Sequence, residues 1–546
     1  MLRDRRVRIY DLHSWTGITM GLFVFVISFT GCLALFYHEL QTWSDPAHRL
    51  PVAETRAPVH DRLSAWIEAE FGNADHVFVG LQYPSEREPY YRADVAASYH
   101  EGGFRQVTRR WDAGDGTPLA DRQDGLATWL LDFHRDLMWP EALGGRTVGR
   151  MLVGIAGIVL MLSIITGLIT HRKMLRELFK LRYQRSVRVK WKDTHNVLGL
   201  WALPFHVMIA YTGAWLGVVA LMVPLVAALT LDGDTDRLAE ELGIGGPEAA
   251  GQQAEMFSLD AVGRMAHPET GRLPAHVSVS EWGDRNALFQ VSYEPETELL
   301  IYESIYVQGA SGEVLEAPDS GLNPSTATGR IIGAIAPLHY ATFGGIWLKL
   351  LYFVLGLALS AMVVFGNMVW LERRRHGPTG SRSDRFYHRL GQLTAGVCLG
   401  VVAASVAVFY VERLYAGDEA ARLFWIGAAY FAIWLSVTLA AFAIRNLYRG
   451  VRFGTAAIGV AVVGLPLLDS ILIGQPFVAE FGSGHTAAAW VNAALLVTGA
   501  ACIATAFGMP DRRPAERRRR RRAGRAGGGP ATASASSLAA RSSPDA

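Results

Sequence analysis

The sequence predicts a polytopic α-helical membrane protein of about eight spans, carrying two small α+β modules outside the bilayer and an internal duplication of the order span, module, span. Three observations carry this. Half of the 546 residues are hydrophobic and the mean hydropathy is +0.18. Apolar runs of about 20 residues, enough to cross a bilayer, recur near 16–37, 148–170, 197–230, 346–371, 391–412, 422–444, 455–474 and 486–508. Two histidine-bearing stretches and the polar segments that follow them also repeat each other.

The first span, within 1–37, opens on Asp11-Leu-His13-Ser-Trp-Thr-Gly17. A basic start precedes it without a convincing small-residue cleavage site after it, so it reads as an uncleaved anchor. Residues 38–147 are polar and form the first module, with helical periodicity over 60–71 and alternation near 76–82, 90–98 and 104–112. The module returns to the membrane through Leu131-Asp-Phe-His134, and span two ends at Thr166-Gly-Leu-Ile-Thr-His171.

Spans two and three occupy 148–230 around the basic loop 171–192, which carries nine Lys/Arg. Short basic loops stay in the cytoplasm. The same sign recurs at Arg3 to Arg8, Arg373 to Arg375, Arg445 to Arg452 and Arg517 to Arg522. With eight spans all five segments share one side, so both termini are expected in the cytoplasm and the modules beyond the opposite face.

Span three begins Asp193-Thr-His195-Asn-Val-Leu-Gly199 and repeats the Asp-x-His-x-x-x-Gly of span one. Thr30-Gly31 and Thr212-Gly213 each follow their histidine by 17 and 18 residues. An aspartate there can cap a helix and a glycine can allow close helix contact, but neither explains the recurring histidine. Span three adds His206, 11 residues after His195. On one continuous helix the two imidazoles would share nearly one face, roughly 16 Å apart. A histidine inside a span is costly without a partner and so marks a functional position.

The second module, 231–345, repeats the first: a helix over 258–266, strands near 276–281, 287–293 and 300–307, then Pro337-Leu-His339-Tyr before span four at 346–371. A basic linker at 372–390 leads to spans five to eight, 391–508, which show no copy of the pattern. His388 and His485 there read as interfacial. The Arg-rich tail 509–546 lacks a periodic apolar face and is expected to be disordered, its arginines suited to anionic lipid rather than nucleic acid. Cys32, Cys398 and Cys502 all lie in apolar spans, so neither a disulfide framework nor a Cys-x-x-Cys motif is present.

Taken together, Leu12-His13-Ser-Trp-Thr-Gly17, Phe133-His134-Arg135, Gly167-Leu-Ile-Thr-His171, Asp193 to Gly199 with Leu203-Pro-Phe-His206 to Gly213, and Pro337-Leu-His339-Tyr resemble the PepSY-associated transmembrane helix family over about residues 5–375. The resemblance is closest to its iron-regulated members, the ferric-siderophore reductases of the bacterial inner membrane. It implies PepSY-like periplasmic modules and a b-type haem protein that passes electrons outward to a ferric siderophore or other ferric chelate.

By depth, His13, His171 and His195 lie near the cytoplasmic face, His206 near the middle, and His134 and His339 at the outer border. A b-type haem needs two axial imidazoles on facing helices and no thioether cysteine. Symmetry pairs His13 with His195 and His134 with His339 around two haems, with His171 and His206 able to replace or supplement them. The electron donor, cytoplasmic or quinol, is expected to be separate, because no dinucleotide or flavin motif is evident. Two other readings stay open: a haem-free transporter with a histidine proton relay, and a sensor whose modules bind a periplasmic peptide. Zinc fits less well, since the histidines form no compact cluster.

Overall fold

The computed structural model describes residues 2–509 apart from 46, 48–49, 52, 86–87, 101, 121–124, 172–175, 177, 183–184, 236, 239–246, 266–272, 294–302, 317–325, 376–383 and 483–485. The expected disordered tail and part of the basic loop, 172–175, 177 and 183–184, lie outside the described residues.

The chain starts with the long helix α1 (Leu2–Ala34) and the short α2 (Tyr37–Ser44). It then forms α3 (His60–Phe71) and strands β1 (His76–Gln82), β2 (Tyr90–Ser98) and β3 (Phe104–Asp112), followed by α4 (Leu126–Asp136), α5 (Gly145–Thr170), α6 (Val187–Trp201) and α7 (Leu203–Thr230). The second polar segment gives α8 (Leu259–Val262), β4 (His276–Ser280), β5 (Leu288–Tyr293), β6 (Glu303–Gln308) and β7 (Val314–Leu315). Helices α9 (Ala327–Tyr340), α10 (Gly345–Arg375), α11 (Asp384–Leu414), α12 (Glu419–Ala443), α13 (Leu447–Ile473) and α14 (Thr486–Gly508) complete the chain. Among the described residues seven helices are long and apolar enough to cross a membrane, or eight if α6 and α7 count as one bent span.

That bend corrects the single helix expected over 197–230. Val187–Trp201 and Leu203–Val219 meet at 70° across Ala202. Pro204 stands in the first turn of α7; it has no N–H to donate, and its ring would clash with the carbonyl four residues back, so the helix breaks before it. His195 and His206 therefore sit on two different helices and not along one face.

The expected strands appear as β1 to β3; burial alternates closely along β2, while β1 buries Val79, Gly80 and Leu81 in succession and β3 is buried only at Arg110 and Trp111. Val77, Val79 and Leu81 point into a core with Leu63, Trp66, Ile67 and Phe71 of α3, each large side chain contributing about 1.5–3 kcal/mol on burial. The two polar segments do not remain separate modules. β1 pairs antiparallel with β4, Val79 opposite Val279, so both strand sets join in one seven-stranded sheet of order β3-β2-β1-β4-β5-β6-β7.

The join is also capped across the halves. The Asp260 carboxylate accepts the backbone N–H groups of Val59 (3.0 Å) and His60 (3.1 Å), at the start of α3. Losing a cap of this kind costs about 0.5–2 kcal/mol. Asp260→Ala is therefore expected to lower the thermal midpoint in detergent with little loss of helical circular dichroism; an unchanged midpoint would contradict this role.

Candidate functional site

Helix α1 links two levels of the bundle. His13 and Gly31 are 18 residues apart on it, about 27 Å along the axis, and each belongs to a different histidine pair. At the basic-loop end His13 meets His195 of α6, ring centres 6.3 Å apart and planes at 67°. At the sheet end His134 of α4 meets His339 of α9, ring centres 6.4 Å apart and planes at 18°.

Each of the four rings is held in one way. His13 Nδ1 donates to the Ser163 carbonyl of α5 at 3.0 Å, and His195 Nδ1 to the Met362 carbonyl of α10 at 2.8 Å. His134 Nδ1 donates to the Ile27 carbonyl of α1 at 3.0 Å. His339 Nδ1 lies 2.9 Å from Thr212 Oγ1; that hydroxyl donates its own proton to the Met208 carbonyl, so it accepts from the histidine. A proton fixed on Nδ1 leaves the lone pair on Nε2, the arrangement that makes an imidazole a metal ligand.

Beside every ring lies a glycine where a side chain would stand. A Cβ on Gly167 would be 3.3 Å from His13 Cε1, on Gly366 3.1 Å from His195 Cε1, on Gly213 3.1 Å from His339 Cε1, and on Gly31 only 2.8 Å from His134 Cε1. Three of the four follow a threonine: Thr30, Thr166 and Thr212. The Thr-Gly pairs visible in the sequence are thus docking points for a histidine from another helix, which linear spacing did not reveal. The fourth, Phe365-Gly366, lacks the threonine and carried no signal. Gly31→Ala is expected to destabilise by about 1–3 kcal/mol through overpacking and Gly167→Ala by less, read as their relative thermal midpoints; equal midpoints would contradict the cradle.

The aspartates of the repeated motif do not cap helices. α1 and α6 both begin well before them. Asp193, 2% exposed, instead accepts the Arg182 backbone N–H (3.0 Å), Nε (2.9 Å) and Nη2 (2.6 Å), tying the basic loop to the turn that presents His195. Asp11 is exposed. One turn after His13, a Cβ on Gly17 would meet nothing within 4 Å.

The remaining two candidates stand outside the pairs. His171 Nε2 is 2.9 Å from Asn196 Nδ2, so it accepts that amide's proton. His206 is 1% exposed, against the backbone of Leu355, with its Nε2 buried and lacking a hydrogen-bond partner among the described residues. Between the two levels Val24, Ala156, Leu160, Ala210 and Leu359 close an apolar layer.

Two imidazoles bound to one metal from opposite sides, each nitrogen about 2.0 Å from the ion and about 1.15 Å from its ring centre, hold their ring centres about 6.3 Å apart. Both pairs have ring centres near that separation, at 6.3 and 6.4 Å.

A family model described as the PepSY-associated TM region matches residues 10–373, a stretch that includes all six histidines and ends before α11. An uncharacterized protein of Pseudomonas aeruginosa is 28% identical over 360 residues, covering 62% of this chain and 86% of that protein.

Proposed function

The chain belongs to the PepSY-associated transmembrane family, and from that premise we propose that it is a haem-b oxidoreductase of the bacterial inner membrane. It would take electrons from a cytoplasmic or quinol donor and reduce a ferric siderophore, or another ferric chelate, at the periplasmic face. In this reading the two polar segments are PepSY-like repeats joined in one periplasmic sheet, and the two halves of residues 5–375 arose by duplication. The recurrence of His, Thr-Gly and module in each half supports that.

The observation that carries the proposal is the pair of ring separations, 6.3 and 6.4 Å, together with the four glycine cradles. His13 and His195 would hold one haem, and His134 and His339 a second. Each haem, when bound, supplies a one-electron carrier. The protein's own contribution is orientation and exclusion. Helix carbonyls and Thr212 hold the proton on Nδ1, the glycines admit the rings, and the apolar layer around Val24 and Leu359 keeps water from linking the levels. Two levels about 27 Å apart along α1 span most of a hydrocarbon core of about 30 Å. Reduction turns iron(III) into a softer, less charged iron(II), which an oxygen-donor chelate holds less tightly.

A haem-free proton relay would ask for imidazoles linked, directly or through hydroxyl, carboxyl or water groups, by partners that both accept and donate a proton. The four paired rings direct Nδ1 to carbonyls, or to a threonine whose own proton goes to a carbonyl, which favours the haem reading. The test is the reduced-minus-oxidised spectrum and haem-to-protein ratio of protein purified from haem-replete cells. Soret and α bands at a ratio near two per chain are expected; a folded, colourless preparation would overturn the proposal.

A further inference from the structure

We propose that helices α11 to α14, which lie beyond the family match, serve to position His134, and that Glu412 of α11 is the positioning residue through which they act. The inference rests on the haem reading above.

Helix α4 has no side-chain cap of its own; its N-cap is Gly125. The first N–H of the helix, Leu126, donates to Glu412 Oε2 at 3.1 Å. A carboxylate at a helix N-terminus satisfies an orphan donor and meets the positive end of the helix dipole. Gly125 permits the approach, since a Cβ there would lie 2.3 Å from that same oxygen. Glu412 is 3% exposed, and Arg422 of α12, 5% exposed, fixes it: Arg422 Nη1 lies 3.1 Å from Glu412 Oε1 and 3.2 Å from the Glu412 carbonyl, and Arg422 Nε 2.8 Å from Glu419 Oε2. A buried charge so held cannot swing away without leaving its partner unpaired.

The grip continues to the residue beside the histidine. Trp129 and Phe133 stack on each other, 5.2 Å apart and 6° from parallel, and both lie on Tyr430 of α12, at 4.6 and 4.8 Å. Gly427 of α12 admits the Trp129 indole, its would-be Cβ 3.1 Å from Nε1. A second anchor holds the α1–α2 corner. Trp43 Nε1 donates to Asn492 Oδ1 of α14 (3.0 Å), Asn492 Nδ2 to Asp469 Oδ2 of α13 (2.6 Å), and Asp469 pairs with Arg413 (2.7 Å), whose guanidinium lies 3.9 Å over the Trp43 ring.

Helix α9, which carries His339, is held differently. Thr326 caps it, and Tyr352 of α10 donates to the Leu338 carbonyl at 3.0 Å, so its support comes from its own half. The added helices therefore fix the height and rotation of one ring of the sheet-end pair. A clamp on α4 bears on the 18° angle of that pair and not on the 67° angle of His13 with His195.

The test uses the full chain loaded with haem, read by the low-spin ferric electron paramagnetic resonance signals and by potentiometric titration. In Glu412→Ala the signal and midpoint of the sheet-end haem are expected to shift while those of the other haem stay. Glu412→Gln, whose amide oxygen can still accept from Leu126, should restore them towards wild type. Gly427→Ala, which presses on Trp129 while leaving the buried ion pair intact, should move the same signal if Glu412→Ala does not accumulate. Haem-loaded variants with the sheet-end signal unmoved would overturn the clamp alone; folded wild-type protein without haem would overturn the underlying reading.

Discussion

With the two haems of the proposed function, replacing His195 by Ala is expected to remove the one at the loop-end level and leave the other, halving the haem-to-protein ratio; His13→Ala should do the same. His134→Ala and His339→Ala should each remove the sheet-end haem instead, and a double variant with one change from each pair should be colourless. The reason is that, in the proposed reading, the two rings of a pair would hold one haem between them, and a methyl in place of an imidazole removes one of its two ligands. Each substitution also removes the hydrogen bond from Nδ1 to a helix carbonyl or Thr212, a further cost of about 0.5–1.5 kcal/mol, so thermal stability should fall alongside haem content. His206→Leu and His171→Ala should keep both haems, since the two pairs at 6.3 and 6.4 Å are formed by the other four rings. A ratio that falls equally in His206→Leu and His195→Ala would reject the pairing.

With a haem held at each level as proposed, the two should also be distinguishable in the oxidised protein. When axial imidazole planes are near parallel, their π donation splits the iron d orbitals unequally and gives a rhombic low-spin signal. When the planes approach perpendicular the splitting collapses and the signal becomes strongly anisotropic. With planes at 18° for His134 and His339 and 67° for His13 and His195, one signal of each kind is expected. His134→Ala should abolish the rhombic one and His195→Ala the anisotropic one. Two rhombic signals of equal intensity would contradict the ring orientations.

Much of the architecture was legible without coordinates. The strands at 76–82, 90–98 and 104–112 appear with those bounds, because alternation with period two is a local signal, carried most clearly by β2. The helix at 60–71 is equally local. The break between α6 and α7 was written in Pro204 but outweighed by the unbroken apolar run around it. The joining of two strand sets into one sheet had no sequence signal. Which edge strand finds which, across about 200 residues, depends on the edges the fold leaves open.

The histidines divide along the same line. Depth, repetition and the cost of a buried imidazole singled out the six candidates, and the symmetry of the repeat suggested two pairs. The Thr-Gly motifs were visible but their purpose was not, since each receives a ring from a different helix. His206 and His195 looked alike on a straight helix and part company at the 70° bend.

The sequence by itself determined the membrane character, the order of elements and the set of residues able to carry chemistry. Those follow from hydropathy and periodicity, which act over a few turns of chain. Only the tertiary structure decided which rings face each other, at what distance and angle, and that α11 to α14 grip α4. A separation of 6.3 or 6.4 Å between side chains some 180 to 205 residues apart in sequence is set by helix packing, and packing depends on every residue at the contact.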